Sequence, residues 1–332
     1  MISYAQNFED VILRRVFRNR ADGFYIDVGA MDPLVESVTK FFYDQGWSGI
    51  NIEPNGWFYS KLLQERPRDI NLNLAVGERE ESKEIFLFDH IGNSTFDESS
   101  RDRYVDRGFE AKSLQVRVTT LATICQDYVR RQIDFLKIDC EGWERFVIYG
   151  ADWDRFRPIV LVIEATEPGT TNPAWADWEP YLIEKARYDM VYFDGLNRFY
   201  LRREYADLRS CFELPPNFFD EFKLYATESA EQANQTLLRE RESFLWRLGV
   251  LEQERDSALA ENLRLAESFR GKEAELKTAL ESKDREMEAH ACSTRARITE
   301  LEKECSELNQ KLLQAKLWVG QLSQDLAASK RK

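Results

Sequence analysis

The sequence predicts an α/β domain with a mostly parallel sheet and a terminal antiparallel hairpin, followed by a long α-helical coiled coil. Three observations carry that expectation. Short apolar runs alternate with helical patterns up to about residue 215, as they do where helices cover both faces of a sheet. No proline follows Pro216, and only Gly249, Gly271 and Gly320 interrupt the rest of the chain, which suits long helix. Within that stretch Ile298, Cys305, Leu312, Val319 and Leu326 alternate with Leu301, Leu308, Ala315 and Leu322 at heptad spacing, the seam of a coiled coil. The two parts divide at residues 1–225 and 226–332.

The elements follow in order. FYIDVGA (24–30) reads as a strand, VESVTKFFYDQG (35–46) as a helix and GINIEP (49–54) as a second strand. A helix through WFYSKLLQER leads to a third strand, INLNLAVG (70–77). Residues 78–120 are less regular: IFLF, a polar loop and LQVRVTTL. The helical LATICQDYVRR precedes the strand DFLKID, a short helix from Trp143 and the strand IVLVIEA. RYDMVYFDGLNRFYL closes the domain as two strands around the turn DGLN, a hairpin pattern. In the helical part a weaker register through Phe244, Leu248, Leu251, Ala258 and Leu265 carries Arg255 and Asn262 in its seam. It does not join the later heptad in phase, so a break is expected near 270–290.

Charge and cysteine usage narrow the function. The chain has 332 residues, 46 basic and 59 acidic side chains and a net charge of −13. Residues 1–226 carry −11 of it. Nucleic acid is therefore an unsuitable partner, because a phosphate backbone selects basic surfaces. Five scattered cysteines without C-x-x-C read as reduced thiols of the cytoplasm. The first residues, MISYAQNFED, lack the features of a signal peptide, and no apolar run is long enough to span a membrane. Association with the inner face of a membrane stays open.

In sheets of this kind, ligands bind beyond the carboxyl ends of the strands. Those ends here are Asp27-Val28-Gly29-Ala30, Glu53, Asp139-Cys140-Glu141-Gly142 and Glu164. Four strands thus finish in carboxylates, a rim hostile to pyrophosphate. Glu53 follows Gly29 by 24 residues, close to the spacing at which an acid accepts ribose hydroxyls, yet the second and third glycines of the dinucleotide fingerprint are missing. S-adenosylmethionine has the ribose, lacks phosphate and carries a sulfonium cation, so it fits this rim better than NAD.

The motifs SYAQNFEDVIL, FYIDVGAMDPLVESVTKFF, GWSGINIEPN, NSTFD, VTTL, FLKIDCEGWERFVIYGAD, IVLVIEATEP and YFDGLNRFYL occur in that order. Together they resemble the FkbM-type S-adenosylmethionine-dependent methyltransferases over residues 3–222. The resemblance implies a Rossmann-like class I methyltransferase fold and methyl transfer to a hydroxyl, often of a sugar in surface-polysaccharide assembly. It implies that Asp27, Gly29 and Ala30 line the cofactor, that Glu53 holds the ribose and that Asp139, Glu141 and Gly142 face cofactor and acceptor. Gln6, Glu9 and Asp10 match a Q-x-x-E-D segment that closes over the site. Met31 stands where Asn is common, and Trp143 where a small residue is frequent. A degenerate domain serving as a coiled-coil scaffold is the alternative that Met31 keeps open.

A sugar hydroxyl benefits from a general base. His90, Asp139 and Glu141 are the candidates assigned, with Glu164 a further one; His90 has the side chain that titrates nearest neutrality. Asp139 and Glu164 could instead hold Mg²⁺ through oxygen ligands, although no metal ligand is assigned. Trp175, Trp178 and Tyr181 offer rings to a sugar or to the core. The expected partners are a hydroxyl-bearing glycan acceptor, glycan-assembly enzymes and further copies of the chain, joined through the coiled coil.

Overall fold

A computed structural model describes residues 1–88, 94–96, 98–272 and 280–329. The chain divides into two compact units, Met1–Tyr225 and Ala226–Lys332. In the first, a central sheet contains β1 (Phe24–Val28), β2 (Ser48–Ile52), β3 (Ile70–Leu72), β4 (Phe135–Ile138), β5 (Val160–Glu164), β6 (Tyr188–Phe193) and β7 (Asn197–Arg202). Their spatial order is β6-β7-β5-β4-β1-β2-β3. Strands β1 to β5 run parallel, whereas β7 pairs antiparallel with both β5 and β6. The hairpin expected from RYDMVYFDGLNRFYL is the antiparallel edge.

The helices are α1 (Glu9–Phe17), α2 (Lys40–Asp44), α3 (Gly56–Glu65), α4 (Glu98–Asp106), α5 (Leu121–Tyr128), α6 (Glu144–Tyr149) and α7 (Glu179–Glu184), with α8 (Tyr225–Lys272) and α9 (Leu280–Ser329) in the helical region. Strand side chains alternate between two cores, as the pleat requires. Ile26, Leu136, Ile138, Leu161, Ile163 and Tyr200 join Leu121, Val147 and Leu182 on one face. Tyr25, Phe135, Val160, Val162 and Phe199 join Ile12, Leu13, Phe17 and Phe42 on the other. Because both faces are covered, the strands read as continuous apolar runs rather than alternating ones.

Three expectations need correction. The helix over 35–46 shrinks to α2, because the Asp32 carboxylate accepts the N–H groups of Leu34 and Val35 and holds a turn there. Glu36, at positive φ, further excludes a regular helix at the start of that span. INLNLAVG is two strands, not one: Ile70–Leu72 stays in the central sheet and Ala75–Gly77 leaves it. At the break, the Asn73 amide donates to the carbonyls of Glu53 and Pro54. The region 78–120, read as less regular, forms a second sheet with Glu81–Phe88, Ser94–Thr95 and Ala111–Thr120 around α4.

The helical region also departs from a single long helix, since α8 and α9 are separate. Leu251, Leu301, Cys305 and Leu308 form a buried cluster flanked by Phe244 and Leu248. Arg297 pairs with Glu254 at 3.6 Å. These two lie about equally far from the end of α8 and the start of α9, so the helices run antiparallel. The later heptad therefore buries its seam against the earlier register of the same chain. That arrangement also removes the need for phase between them, because each faces the other instead of continuing it. The expected break at 270–290 coincides in part with residues 273–279, which lie outside the described residues. All five cysteines are free. Among the described residues no helix is long and apolar enough to cross a membrane.

Candidate active site

Register levels the strand ends. Val28 pairs with Ile52 and with Ile138, and Ile138 pairs with Ile163. Gly29, Glu53, Asp139 and Glu164, the residues that follow, consequently share one rim. They line a cavity of about 460 Å³. Towards β2 and β3 its wall includes Pro54, Leu74 and Val76, and towards β5 it includes Glu141, Gly169 and Thr170.

The turn after β1 is built for close approach. The N–H groups of Gly29 and Ala30 both donate to the Ile52 carbonyl. Gly29 has φ +78°, and a Cβ there would stand 1.8 Å from the Asp139 carbonyl oxygen. Beyond it, the Met31 N–H donates to Glu53 Oε2 at 2.9 Å, and the Asn55 N–H to Oε1 at 2.7 Å. Each Glu53 oxygen keeps a lone pair for a ligand hydroxyl. The Met31 contact is a backbone one, so the side chain that departs from the resembling family is not needed for it.

Lys137 is the charge that composition and spacing left unassigned. It rises from β4 and sends its ammonium to the Gly29 carbonyl at 2.8 Å, Asp139 Oδ2 at 3.3 Å and Asp27 Oδ1 at 3.5 Å. Burial alone would lower its pKa, but Asp139 and Asp27 outweigh that and raise it, so the group stays cationic. Asp27 is buried behind the wall, where it also accepts a bond from Thr39. A lysine inside an otherwise apolar strand was the available signal.

The carboxyls around this ion pair are pushed towards their neutral forms. Burial lifts Glu53 to about 7, against the two backbone donors that oppose the shift. Glu141 rises to about 8 through burial and then through Asp139 and Glu144. Glu164 goes well above the carboxylate range, first through burial and next through Asp139. Glu9 reaches about 8, mainly by burial and then Asp194. Neither Asp139 nor Glu164 caps the following helix; Glu144 Oε1 accepts the N–H groups of Cys140 and Gly142 and so holds the turn that leads into α6.

These raised values set a sign for stability. Asp10 at about 6, Glu53 at about 7 and Glu9 and Glu141 at about 8 bind protons more tightly folded than unfolded. Their contribution is complete below the unfolded carboxylate values and is lost as pH rises through 6 to 8. The ligand-free protein is expected to melt at progressively lower temperature from pH 5 to pH 8.5, measured by circular dichroism. A melting temperature that rises over that interval contradicts these assignments.

Among the sequence-derived candidates, the cavity brings together Gln6, Glu9, Gly29, Ala30, Glu53, Asp139 and Glu141. Asp10 is not part of its lining. The carboxylate instead accepts Ser3 Oγ and the N–H groups of Tyr4 and Ala5, which fixes the N-terminal segment. Glu9 is held by the amide of Asn197, at the start of β7, and by the Asn7 N–H. His90 lies outside the described residues. Trp143 lines the cavity, stacks on Phe146 and packs against Phe96. Trp178 is core, Trp175 packs against Phe193 and Arg198, and Tyr181 meets Tyr149. Among the described residues no group of three or more His, Cys, Asp or Glu side chains is placed to hold a metal ion.

Residues 27–190 match the family model described as the methyltransferase FkbM domain. The chain carries an FkbM methyltransferase domain. Its matched region opens on Asp27, within β1, and ends inside β6, so it contains the strand ends Gly29, Glu53, Asp139 and Glu164. The chain has no match among curated proteins. In the FkbM domain three residues flanking the rim hold positive φ without being glycine: Met31, Glu36 and Glu141. Such strain persists where surrounding structure overdetermines the backbone, and it concentrates at functional sites.

Proposed function

We propose that the FkbM domain binds S-adenosylmethionine and methylates a hydroxyl of a glycan. The observation that carries this reading is the rim itself. A glycine-permitted approach at Gly29 and a doubly anchored Glu53 share a cavity lined by six carboxyl side chains and one ammonium. A ribose hydroxyl finds acceptors there, a sulfonium finds negative charge, and a pyrophosphate finds no glycine-rich cradle and a single ammonium already engaged by Gly29, Asp27 and Asp139. When bound, S-adenosylmethionine supplies an electrophilic methyl: an oxygen–carbon bond forms, the carbon–sulfur bond breaks and its electron pair stays on sulfur.

The protein's part is positioning and proton transfer. Lys137 holds Asp27 and Asp139 on either side of the Gly29 carbonyl and so fixes the floor of the cavity. Asp139 and Glu141 stand at the end of β4, where one carboxylate oxygen can take the hydroxyl proton. Trp143 and Phe96 offer aromatic faces to a ring.

The glycan class follows from the resemblance to polysaccharide-assembly enzymes, and cytoplasmic work near the inner membrane face is part of the same proposal. Self-association is also proposed. Leu238, Leu245 and Leu259 on α8, and Leu313, Leu317 and Trp318 on α9, remain exposed outside the buried seam. Such rows favour a further helical layer. Light scattering on the full chain should give a multiple of 39.0 kDa; a mass equal to the monomer removes this part. The enzymatic proposal is tested by incubating the protein with S-adenosylmethionine and polysaccharide from cells lacking it. Methylated sugars and S-adenosylhomocysteine in the digest support it, whereas methyl groups appearing only on protein or nucleic acid oppose it.

A further inference from the structure

The end of the cavity beneath β4 and β5 crowds together carboxyls that a bound cation would let ionise. Glu164 is 7 % exposed and lines the cavity; it shares a side-chain hydrogen bond with Asp139, while its Oε2 is buried without a partner. Asp139 and Glu141 face it from the segment after β4, Glu144 from the start of α6, and Asn197 from the neighbouring strand β7. Glu141 is held at φ +52° and has one side-chain donor, Tyr104 Oη at 3.3 Å. The only lysine among the described lining residues is Lys137, and no arginine is among them. Its ammonium is already directed at Gly29, Asp27 and Asp139.

The cofactor does not balance this charge. S-adenosylmethionine carries one net positive charge, against a lining of Glu9, Glu36, Glu53, Asp139, Glu141 and Glu164 with Lys137. A phosphate-bearing acceptor would add negative charge to the same desolvated space, where repulsion is least screened. A neutral polyol could satisfy one oxygen but would leave the carboxyls dependent on bound protons. An ammonium brings three donors and a charge, the complement of a carboxyl pair, Asp139 and Glu164, one of whose buried oxygens has no partner.

We propose that the acceptor carries a protonated amine beside the hydroxyl it presents, an amino sugar in the simplest case, and that Glu164 is the carboxyl that receives the ammonium. An ammonium kept charged by Glu164 has no lone pair, so the methyl goes to the neighbouring oxygen. Sugar phosphates and nucleotide sugars are excluded by the same charge. The inference rests on the methyltransferase reading of the cavity.

The test uses the full chain saturated with S-adenosylhomocysteine at pH 7, titrated by calorimetry with D-glucosamine, D-glucose and D-glucose 6-phosphate. Glucosamine is expected to bind at least about tenfold more tightly than glucose, as one charge-assisted hydrogen bond allows, and the phosphate is expected not to bind. Glu164→Gln should reduce glucosamine to the affinity of glucose while S-adenosylhomocysteine affinity stays within about twofold, which also shows that the variant is folded. Glucose or its phosphate binding as tightly as glucosamine, no binding of glucosamine, or a preference surviving Glu164→Gln would each overturn the inference. Failure of the wild type to bind S-adenosylhomocysteine would remove the cofactor reading, and the inference with it.

Discussion

Gly29→Ala is expected to abolish cofactor binding, with affinity for S-adenosylmethionine falling by about a hundredfold or more. Two effects add. At φ +78° any side chain is strained, which costs of order 1–2 kcal/mol. The new Cβ would also lie 1.8 Å from the Asp139 carbonyl oxygen. That neighbour is backbone at the end of β4, so relief requires the β1 and β4 strand ends to separate, at roughly 1–3 kcal/mol. Since both ends form the cavity floor, the movement falls on the site and stability and binding drop together. Gly46→Ala supplies the comparison. Gly46 has φ +94° and nothing within 4 Å of an added Cβ, so that variant should pay only the strain and keep its affinity. Calorimetry on the two variants separates the cases. Equal affinities for S-adenosylmethionine would show that the approach of Gly29 to Asp139 has no part in the site.

Lys137→Met is expected to have the largest effect on stability. Removing one member of a buried ion pair leaves the other charges uncompensated, typically at about 3–5 kcal/mol. Here two carboxylates lose their partner, Asp27 on one side and Asp139 on the other. For a unit of this size such a loss lowers the melting temperature by roughly 10 °C. Its pH dependence carries the diagnosis. Asp27 is already raised by burial, and Lys137 is the leading influence that lowers it. Without Lys137 it binds its proton more tightly in the folded state than in the unfolded one. That contribution is present below the unfolded carboxylate pKa and lost as pH rises through the folded value. The deficit against wild type should therefore be smaller at pH 5 than at pH 7.5. Thermal melts at the two pH values check this, and a deficit independent of pH would assign Lys137 to packing.

Much of the central sheet was legible because its strands are short apolar runs that end in Gly or in acid, and such runs have few other uses. The rim was legible for the same reason: register follows from parallel strands of similar length, so their terminal residues must meet. What escaped was set by contacts distant in sequence. Asn73 breaks one apolar run into two strands by bonding carbonyls beyond β2. Asp32 and the positive φ of Glu36 shorten a helix whose apolar spacing was sound. The division of labour among carboxylates was likewise hidden, since nothing local distinguishes Asp10, which anchors the N-terminal segment, from Glu9, which reaches the cavity. In the helical region the heptads marked the seam but not its occupant. A chain returning antiparallel buries the same positions as a partner would.

The strand-end rim is proposed to hold S-adenosylmethionine through Gly29 and Glu53. The most direct test is isothermal titration of the full chain with S-adenosylmethionine, S-adenosylhomocysteine and NAD, repeated with Glu53→Ala. One site per chain is expected for the first two ligands and none for NAD. A loss of about tenfold or more is expected in Glu53→Ala, where the ribose acceptor is gone. Absence of S-adenosylmethionine binding to the wild type, or affinity unchanged in Glu53→Ala, would contradict the proposal.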